Sequence, residues 1–440
     1  MRHSEQYQEM IPRIFEYRRS TSENEHILPR TITFQVTDAC NLCCSYCYQI
    51  NKGHRKMSLE TGKKFIDLLL SGEKGFHDYV NPENSPAAIL EFIGGEPFLE
   101  IDLINDLVEY FKRRTIELHH PWATMYRISL CSNGVLYFTP EVQRFLKRNK
   151  HMISLNVTLD GDKKLHDSCR VFADGSGSYD MAVAAAMDWV KQGNYMGSKI
   201  TIAPANLPYL YDAIVHMLEL GYDEINANCV FEKGWEQHHA TTFYYELKRI
   251  ADYLLNKNIS MDDLYLSLFD EDLFHPKSPE DNINWCGSVG FMMACDPDGY
   301  LYPCIRFMES SLGGERPPMR IGDLNQGIYC TDEYRCNLDC LKCITRRSQS
   351  TDECFNCPIG EGCSWCTAQN YQETGSPNKR TTNICEMHKA RALANAYFWN
   401  SYYRKNHMPL RFKNNVPDEW ALKIIPESEL KLISELSSLS

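Results

Sequence analysis

The sequence lacks a long hydrophobic run, and this absence argues against a membrane-spanning protein. Its apolar stretches, such as residues 66–70, which Asp67 interrupts, are far shorter than the roughly 20 residues that a spanning helix needs. The first ten residues, MRHSEQYQEM, contain no apolar segment that would serve as a secretory signal. We therefore expect a cytoplasmic protein without a membrane partner.

An excess of positive charge is also missing. The 440 residues include 46 Lys and Arg against 58 Asp and Glu, which gives a net charge of −12. Nucleic-acid binding depends on clustered positive charge, so a nucleic-acid partner is not expected. A hydrophobic content of 43% with 12% aromatic residues excludes a disordered chain, and the length suggests two or three domains.

Cysteine, by contrast, is abundant: the chain has 19, of which 7 precede residue 285 and 12 lie between Cys286 and Cys385. Disulfide scaffolds are short and secreted, so clustered cysteines in a long cytoplasmic chain indicate metal binding or redox chemistry. We interpret Cys131, Cys169 and Cys229, which lie in or near apolar runs, as buried structural thiols.

Strand-like and helix-like segments alternate between residues 31 and 230. Hydrophobic patterns predict strands at 31–36, 88–93, 128–131, 153–159, 199–202 and 224–230, and helices at 59–70, 102–118, 140–148, 179–191 and 208–220. Repeated β/α units imply a parallel sheet, here a partial (β/α)6 TIM-like barrel of the α/β class, with chemistry on the loops after the strands. Ser58 is expected to cap the first helix.

We expect five parts along the chain, which follow from where these patterns begin and end. They are an N-terminal extension (1–30), a core domain (31–235), a helical bridge (236–280), an irregular cysteine-rich domain (281–390), and a C-terminal helix with a polar tail (391–440).

The first cysteine motif follows the first predicted strand and has the spacing Cys40-x3-Cys44-x2-Cys47. Three thiolates cannot complete a tetrahedral zinc site without a fourth protein ligand, but they can bind three irons of a [4Fe–4S] cluster and leave the fourth iron open. With Tyr46 before its last cysteine, the motif resembles the signature of the radical S-adenosylmethionine (SAM) family. The resemblance extends over residues 31–230 and implies that SAM binds the open iron. Cys43 is an additional thiol outside this ligand set.

Four further motifs come in the order that this family shows, each after a predicted strand. They are Gly94-Gly95-Glu96-Pro97, Ser132-Asn133-Gly134, Thr158-Leu159-Asp160-Gly161 followed by His166, Asp167 and Arg170, and the stretch from Ile202 to Asn206. The resemblance implies that Glu96 and the glycine backbone bind the SAM ammonium. It implies that Ser132 and Asn133 lie at the ribose and that the stretch from Ile202 meets the adenine. It also implies SAM contacts for Thr158, which replaces a serine of the family, and for Arg170, whose guanidinium suits a carboxylate.

The cysteines from Cys286 onward resemble the SPASM domain, an extension of radical SAM enzymes that modify peptides and proteins. Gly299 and Cys304 follow Cys286, and a later run has the spacing Cys354-x2-Cys357-x5-Cys363-x2-Cys366 before Cys385. The interval between Cys363 and Cys366 is one residue shorter than in the family.

This second resemblance implies two auxiliary clusters. The first would be bound by Cys286, Cys304 and Cys366, with Cys295 as a candidate fourth ligand, and the second by Cys354, Cys357, Cys363 and Cys385. Zinc ribbons, which also use Cys-x2-Cys pairs, remain an alternative.

Four more cysteines, Cys330, Cys336, Cys340 and Cys343, match no position of the SPASM domain. We interpret them as thiols near solvent on a short amphipathic segment, with a metal site at Cys340 and Cys343 as the alternative.

The resemblance implies an oxidoreductase with three [4Fe–4S] clusters and SAM, which receives electrons from a donor such as flavodoxin or ferredoxin. Reductive cleavage of SAM would give a 5′-deoxyadenosyl radical, which would remove hydrogen from a precursor peptide. The run CPIGEGCSWC is similar to that of maturases of ribosomally made peptides, which implies formation of a crosslink, a Cys thioether of the sactionine or ranthipeptide type.

Three other functions stay open. They are a C–C crosslinking or epimerising peptide maturase, an anaerobic sulfatase-maturating enzyme that forms formylglycine, and a non-enzymatic iron–sulfur electron carrier. In each enzymatic case a general base would take up a proton, and Glu232, Asp160 and His238 are the candidates near predicted strand ends.

Overall fold

Parallel strands follow one another along the first half of the chain in the computed structural model, which describes residues 30–195, 197–284, 286–313 and 316–438. The expected N-terminal extension lies outside the described residues, apart from Arg30. The strands are β1 (Arg30–Gln35), β2 (Ala88–Ile93), β3 (Tyr126–Ser132), β4 (Ile153–Val157), β5 (Ser198–Ile202), β6 (Glu224–Cys229), β7 (Tyr265–Leu266), β8 (Met292–Cys295), β9 (Tyr300–Tyr302), β10 (Gly322–Asp323) and β11 (Gly327–Ile328).

The strands form two sheets, and the parallel pairs carry the predicted β/α units. The first sheet has the order β11-β10-β9-β8-β1-β2-β3-β4, and the second has the order β5-β6-β7. Pairing from β8 through β1 to β4 is parallel, as is pairing within the second sheet. The α/β class and the partial barrel predicted from the hydrophobic pattern are confirmed.

Helices separate the strands and then dominate the C-terminal part. They are α1 (Leu59–Ser71), α2 (Phe76–Tyr79), α3 (Ile101–Glu117), α4 (Pro140–Arg148), α5 (Lys163–Cys169), α6 (Tyr179–Lys191), α7 (Leu210–Glu219), α8 (Gln237–Asn256), α9 (Asp332–Lys342), α10 (Arg346–Gln349), α11 (Asp352–Phe355), α12 (Thr367–Thr374), α13 (Cys385–Lys405), α14 (Asp418–Ala421) and α15 (Glu427–Ser437). As predicted, Ser58 caps α1: its hydroxyl accepts a hydrogen bond from the Thr61 N–H.

The core between α1 and the first sheet is built from aromatic rings. Phe34 of β1 lies 4.8 Å from Phe65 of α1 and 5.1 Å from Phe92 of β2, measured between ring centroids. Such offset and edge contacts stabilise beyond simple apolar burial. They hold β1 and β2 rigidly, so the loops after these strands start from fixed positions.

Two segments differ from the sequence prediction. The bridge expected over 236–280 is helical only in α8, and its remainder includes β7, which pairs with β6. The expected polar tail forms α14 and α15, and Leu430 and Ile433 of α15 are buried. The tail was misjudged because its few apolar residues stand among serine and glutamate, where helical spacing gives a weak signal.

The cysteine-rich part is joined to the first half through the sheet itself. Strand β8 pairs with β1, with Phe34 opposite Cys295, and β9 and β10 continue the sheet by antiparallel pairing. None of the helices in the described part of the chain combines the length and apolar character needed to cross a bilayer.

Candidate functional site

A cavity of about 520 Å³ opens beyond the carboxyl ends of the first strands. Loops that follow β1, β2, β3, β4 and β6 supply much of its wall. The C-terminal part supplies the remainder through Arg306, Ser364, Met387, His388 and Arg391. Loops at this end of parallel strands are where α/β folds place their binding residues, so the cavity is the candidate site.

Most residues that the sequence analysis connects with SAM line this cavity: Tyr46, Gly94, Gly95, Glu96, Ser132, Asn133, Thr158 and Arg170. Pro97 and Ile202 do not. Pro97 is buried at the start of a 3-10 helix, and Ile202 is buried in β5 with its carbonyl accepting the Val230 N–H. On β5, Thr201 lines the cavity instead.

The thiols of the first motif share one wall of the cavity. Burial raises the pKa of the Cys40 thiol to about 11. Burial also raises the pKa of the Cys44 thiol, with Arg170 opposing and Cys47 adding to the increase. The raised pKa values favour the protonated form of the Cys40 and Cys44 thiols. Metals bind thiolates rather than thiols, so binding of a metal at these residues would release their protons. Cys43 is exposed and is not part of the cavity wall.

The loop after β2 contacts the loop of the first motif through bare backbone. A Cβ atom on Gly95 would lie 2.4 Å from the Ala39 carbonyl oxygen and 2.7 Å from the Cys40 Cβ. The Glu96 N–H donates to the same Ala39 carbonyl at 2.9 Å. Only glycine therefore permits this approach, which fixes Cys40 relative to Glu96.

Glu96 connects the loops after β2 and β3. Its side chain is 1% exposed and accepts hydrogen bonds from the Ser132 hydroxyl at 2.8 Å, the Asn133 N–H at 2.8 Å and the Phe98 N–H at 3.1 Å. Burial raises the pKa of Glu96, and these donors and Arg170 oppose that shift. An ionised carboxylate offers about four acceptor positions, so one is left for a donor that enters the cavity.

Arg170 is held at the cavity by a buried carboxylate. Its Nε donates to Asp160 Oδ2 at 2.6 Å, and the Tyr46 hydroxyl donates to the same oxygen. Burial disfavours the Arg170 cation, but Asp160, Tyr46 and Cys44 together outweigh this effect and raise the pKa of Arg170. Asp160 is 0% exposed, both donors contact it, and it does not line the cavity. In this position it holds Arg170 in place, and its role as a general base stays a prediction.

The C-terminal cysteines form two groups in space. Cys286, Cys304 and Cys366 are mutual neighbours: burial raises the pKa of Cys304, and the other two thiols add to the increase. Burial likewise raises the pKa of Cys385, to about 11, with Cys363 and Cys354 among its neighbours. Cys357 is a neighbour of Cys354 and Cys385. The structure thus separates Cys363 and Cys366 into different groups although only two residues lie between them.

Buried hydroxyl groups surround the first of these groups. The Cys286 sulfur lies 3.2 Å from both the Ser288 and the Thr367 hydroxyl oxygens, and neither residue is more than 1% exposed. In the second group, Arg380 Nη2 donates to the Cys363 sulfur at 2.8 Å. Burial raises the pKa of the Cys363 thiol, and the Arg380 charge opposes that increase.

Cys295 is separate from both groups. It lies in β8 opposite Phe34, is 0% exposed, and its thiol donates to the Asp296 carbonyl at 3.5 Å. The candidate fourth ligand of the first auxiliary group is therefore a core residue of the sheet.

Arg306 connects the first C-terminal group with the cavity. Its Nη2 donates to Glu232 Oε1 at 2.7 Å and to Gln369 Oε1 at 3.0 Å. Although burial lowers it, the pKa of Arg306 is raised by Glu232 and by the thiols of Cys366 and Cys304. Glu232 lines the cavity, whereas His238 lies on α8 outside the cavity wall and pairs with Glu236.

The interpretation of three cysteines as buried structural thiols fails for Cys131, which is exposed and lines the cavity. Cys169 is buried in the core, and Cys229 is partly buried against the core and also lines the cavity. The apolar run around Cys131 misled because alternate residues of a barrel strand face opposite sides.

Lys199 and Thr201 of β5 also line the cavity, although the sequence analysis did not name them as candidates. They alternate with the buried Ile200 and Ile202, which is the signal that could have identified them. The Lys199 ammonium is a charged neighbour of Glu91 and opposes the increase that burial produces in the pKa of that carboxyl group.

No group of three or more His, Cys, Asp or Glu side chains in the described ranges converges on a point suited to one metal ion. A [4Fe–4S] cluster binds each thiolate to a different iron, so its thiolates need not meet at a point as they do around zinc.

Similarity to known proteins indicates which kind of metal centre these thiols bind. Residues 30–173 match the model of a family described as a 4Fe-4S single cluster domain. The chain is 23% identical over 300 residues to the antilisterial bacteriocin subtilosin biosynthesis protein AlbA of Bacillus subtilis, covering 67% of this chain and 59% of AlbA. It is 25% identical over 295 residues to the mycofactocin maturase MftC of Mycolicibacterium smegmatis, covering 63% and 64%.

The fold is also that of a solved structure, native anSMEcpe with bound AdoMet and the Kp18Cys peptide. The two share a TM-score of 0.60 at 17% identity, over 87% of this chain and 100% of that one. In fold and in sequence the chain thus resembles radical SAM proteins that carry a SPASM domain. The match spans about three fifths of the length of AlbA and MftC.

Radical SAM proteins of this kind bind SAM and [4Fe–4S] clusters, and the residues present fit both. The first motif offers three thiols at a cavity wall that also presents a guanidinium and a buried carboxylate. The C-terminal groups offer three and four thiols, with two hydroxyls near the Cys286 sulfur and a guanidinium donor at the Cys363 sulfur. Soft sulfur donors of this number are the usual ligands of iron–sulfur clusters.

Proposed function

We propose that this radical SAM protein is a peptide maturase that forms a crosslink, a Cys thioether, in a ribosomally made precursor peptide. The observation that carries the proposal is the single cavity shared by both halves of the chain. The thiols of Cys40, Cys44 and Cys47 line it, and so does Arg306, which neighbours the first C-terminal group. A peptide segment in this cavity would contact both.

The proposal assigns the cofactor-binding residues as follows. When bound, SAM and the clusters supply a 5′-deoxyadenosyl radical and the electron acceptor that a net loss of two hydrogens requires. Arg170, held by Asp160, and Glu96 position the carboxylate and ammonium of SAM. Cys40, Cys44 and Cys47 hold the SAM-binding cluster; Cys286, Cys304 and Cys366 hold the first auxiliary cluster; and Cys354, Cys357, Cys363 and Cys385 hold the second.

The first auxiliary group has three thiols once Cys295 is removed from its ligands. This leaves one iron position for a thiolate of the substrate, which a thioether-forming maturase must bring next to the target carbon. Glu232 is the proton acceptor in the proposal, since it lines the cavity and Arg306 holds one of its oxygens at 2.7 Å. The electron donor is a small redox protein of the flavodoxin or ferredoxin class.

The test is anaerobic reaction of the reconstituted chain with SAM and its precursor peptide. A thioether makes the peptide about 2 Da lighter, because two hydrogens are lost. The Cys40/Cys44/Cys47→Ala variant should lose about four irons per chain and all 5′-deoxyadenosine formation. Glu232→Gln should keep 5′-deoxyadenosine formation and lose most of the crosslink.

Two outcomes contradict the proposal. Formation of 5′-deoxyadenosine with no change in peptide mass indicates epimerisation. Zinc in place of iron at the C-terminal cysteines removes the auxiliary clusters on which the net oxidation depends.

A further inference from the structure

Helix α13 presents a cation to the cavity, the guanidinium of Arg391. Met387, His388 and Arg391 follow one another within about one turn of this helix, and all three line the cavity. His388 is uncharged at neutral pH, since burial lowers its pKa to about 4. Its Nε2 lies 2.7 Å from the Ile359 carbonyl oxygen. Arg391 is therefore the residue that gives this part of the wall a charge.

Two backbone carbonyls and an aromatic ring hold the Arg391 guanidinium in place. Its Nε donates to the Leu268 carbonyl at 3.1 Å, and its Nη2 donates to the Ser267 carbonyl. The guanidinium carbon lies 5.1 Å from the centroid of the Phe274 ring. These are the hydrogen bonds that Arg391 makes within the described residues, and a guanidinium has five N–H donors. Three donors are thus left for a group that enters the cavity.

Arg391 differs from the guanidinium groups of Arg170 and Arg306, which also line the cavity. Arg170 donates to the Asp160 carboxylate at 2.6 Å. Arg306 donates to the Glu232 carboxylate at 2.7 Å. Among the residues that the structure describes, no carboxylate lies within ion-pair distance of Arg391, and burial lowers its pKa. A partly buried cation without a paired anion is unfavourable, so this wall favours a ligand that carries a negative charge.

The second C-terminal cysteine group has a cation of its own. Cys363 of that group is a charged neighbour of Arg391, but the guanidinium that donates to its sulfur, at 2.8 Å, is that of Arg380. The hydrogen bonds of Arg391 go to carbonyl groups instead. Its remaining donors are therefore available to a ligand in the cavity.

A carboxylate is the anion that suits this position. The planar guanidinium can donate two parallel hydrogen bonds to the two oxygens of a carboxylate. We propose that Arg391 binds a carboxylate group of the peptide substrate and thereby selects that peptide, an inference that rests on the proposed function. The apolar side chains of Leu268 and Met387 line the same cavity, and an ion pair is stronger where such side chains exclude water. The carboxylate is that of an acidic side chain of the peptide or that of its C-terminus.

The test is affinity selection on the anaerobically reconstituted full chain in the presence of SAM. The probe is an equimolar mixture of short peptides of equal length, each with one Cys and with Ala, Leu, Gln, Glu or Lys at the other positions. One arm uses amidated C-termini and the other uses free C-termini. Wild type should enrich Glu over Gln in the amidated arm if a side chain binds, or free over amidated C-termini if the chain end binds. In either case we expect an enrichment of about tenfold or more.

Three variants connect this preference with Arg391. Arg391→Gln should abolish the enrichment and keep the wild-type iron content. Arg391→Lys keeps the charge without the planar fork and should retain a smaller enrichment. Lys199→Gln is the matched control, because it removes a positive charge from the same cavity, and it should keep the full enrichment.

Several results would overturn the assignment of Arg391. They are retention of peptides without any carboxylate preference, an equal preference in Arg391→Gln, and loss of the preference in Lys199→Gln. Loss of iron from both Arg391 variants would also overturn it, because the residue would then serve the second cysteine group. Retention of no peptide by wild type would contradict the proposed function itself, which separates the two failures.

Discussion

At the scale of single residues, the site depends on a glycine at which a side chain would clash with the neighbouring loop. Gly95 is the clearest case, since its missing Cβ lets the loop after β2 approach the Ala39 carbonyl and Cys40. An added methyl group at 2.4 Å from backbone oxygen cannot be relieved by rotating a side chain, so one of the two loops must move. Movement of either loop displaces the first thiol relative to Glu96.

We therefore predict that Gly95→Ala removes the SAM-binding cluster while the protein stays folded. Iron content after reconstitution should fall by about four per chain, and 5′-deoxyadenosine formation should be lost. Gly193→Ala is the control: its φ of +80° adds a backbone penalty that Gly95 lacks, but a Cβ there meets open space. Retention of full iron content in Gly95→Ala would contradict the argument.

At the scale of elements, a buried histidine joins α5 to the strand before it and the helix after it. His166 is 1% exposed; its Nδ1 accepts the Asp160 N–H at 3.4 Å, and its Nε2 lies 3.1 Å from the Ser178 hydroxyl. Burial, with Arg170 adding to the effect, lowers the pKa of His166 to about 4. The unfolded chain titrates near the ordinary value of about 6.5.

The unfolded state therefore binds this proton first as the pH falls. The free energy of unfolding should decrease as the pH drops below about 6.5, and the loss should be complete near pH 4. Between pH 7.5 and 6.0 the part due to His166 is about 1 kcal/mol. His166→Gln should abolish this part, measured from urea midpoints at the two pH values, whereas the exposed His151→Gln should not. An unchanged pH dependence in His166→Gln would refute the assignment.

At the scale of the whole molecule, the two halves share one sheet and one helical layer. Strand β8 is the parallel partner of β1 on the side opposite β2, and α13 packs along α8. Removing the C-terminal half would leave β1 as an open edge and expose apolar residues of α8 such as Leu247 and Ile250. Each such side chain contributes about 1.5–3 kcal/mol when buried, against a total stability of about 5–15 kcal/mol.

We predict that a fragment of residues 30–281 is insoluble or unfolds without a cooperative thermal transition. The control is the full chain with Cys286/Cys304/Cys366→Ala, which removes the thiols of one group but keeps the sheet and should unfold cooperatively. A soluble fragment with a sharp transition would show that the first half folds by itself.

Local patterns determined much of this protein. The first motif could be recognised from the spacing of Cys40, Cys44 and Cys47 alone. The bounds of α4 and α6 could also be predicted locally, because hydrophobic periodicity acts over a few residues. The same holds for the capping of α1 by Ser58.

Only the tertiary structure decided which distant residues meet. It separated Cys363 from Cys366, placed Cys295 in the core of β8, and turned Cys131 and Lys199 toward the cavity. Sequence spacing cannot determine such contacts, because the face that a strand residue presents and the partner that a strand pairs with depend on packing between segments hundreds of residues apart.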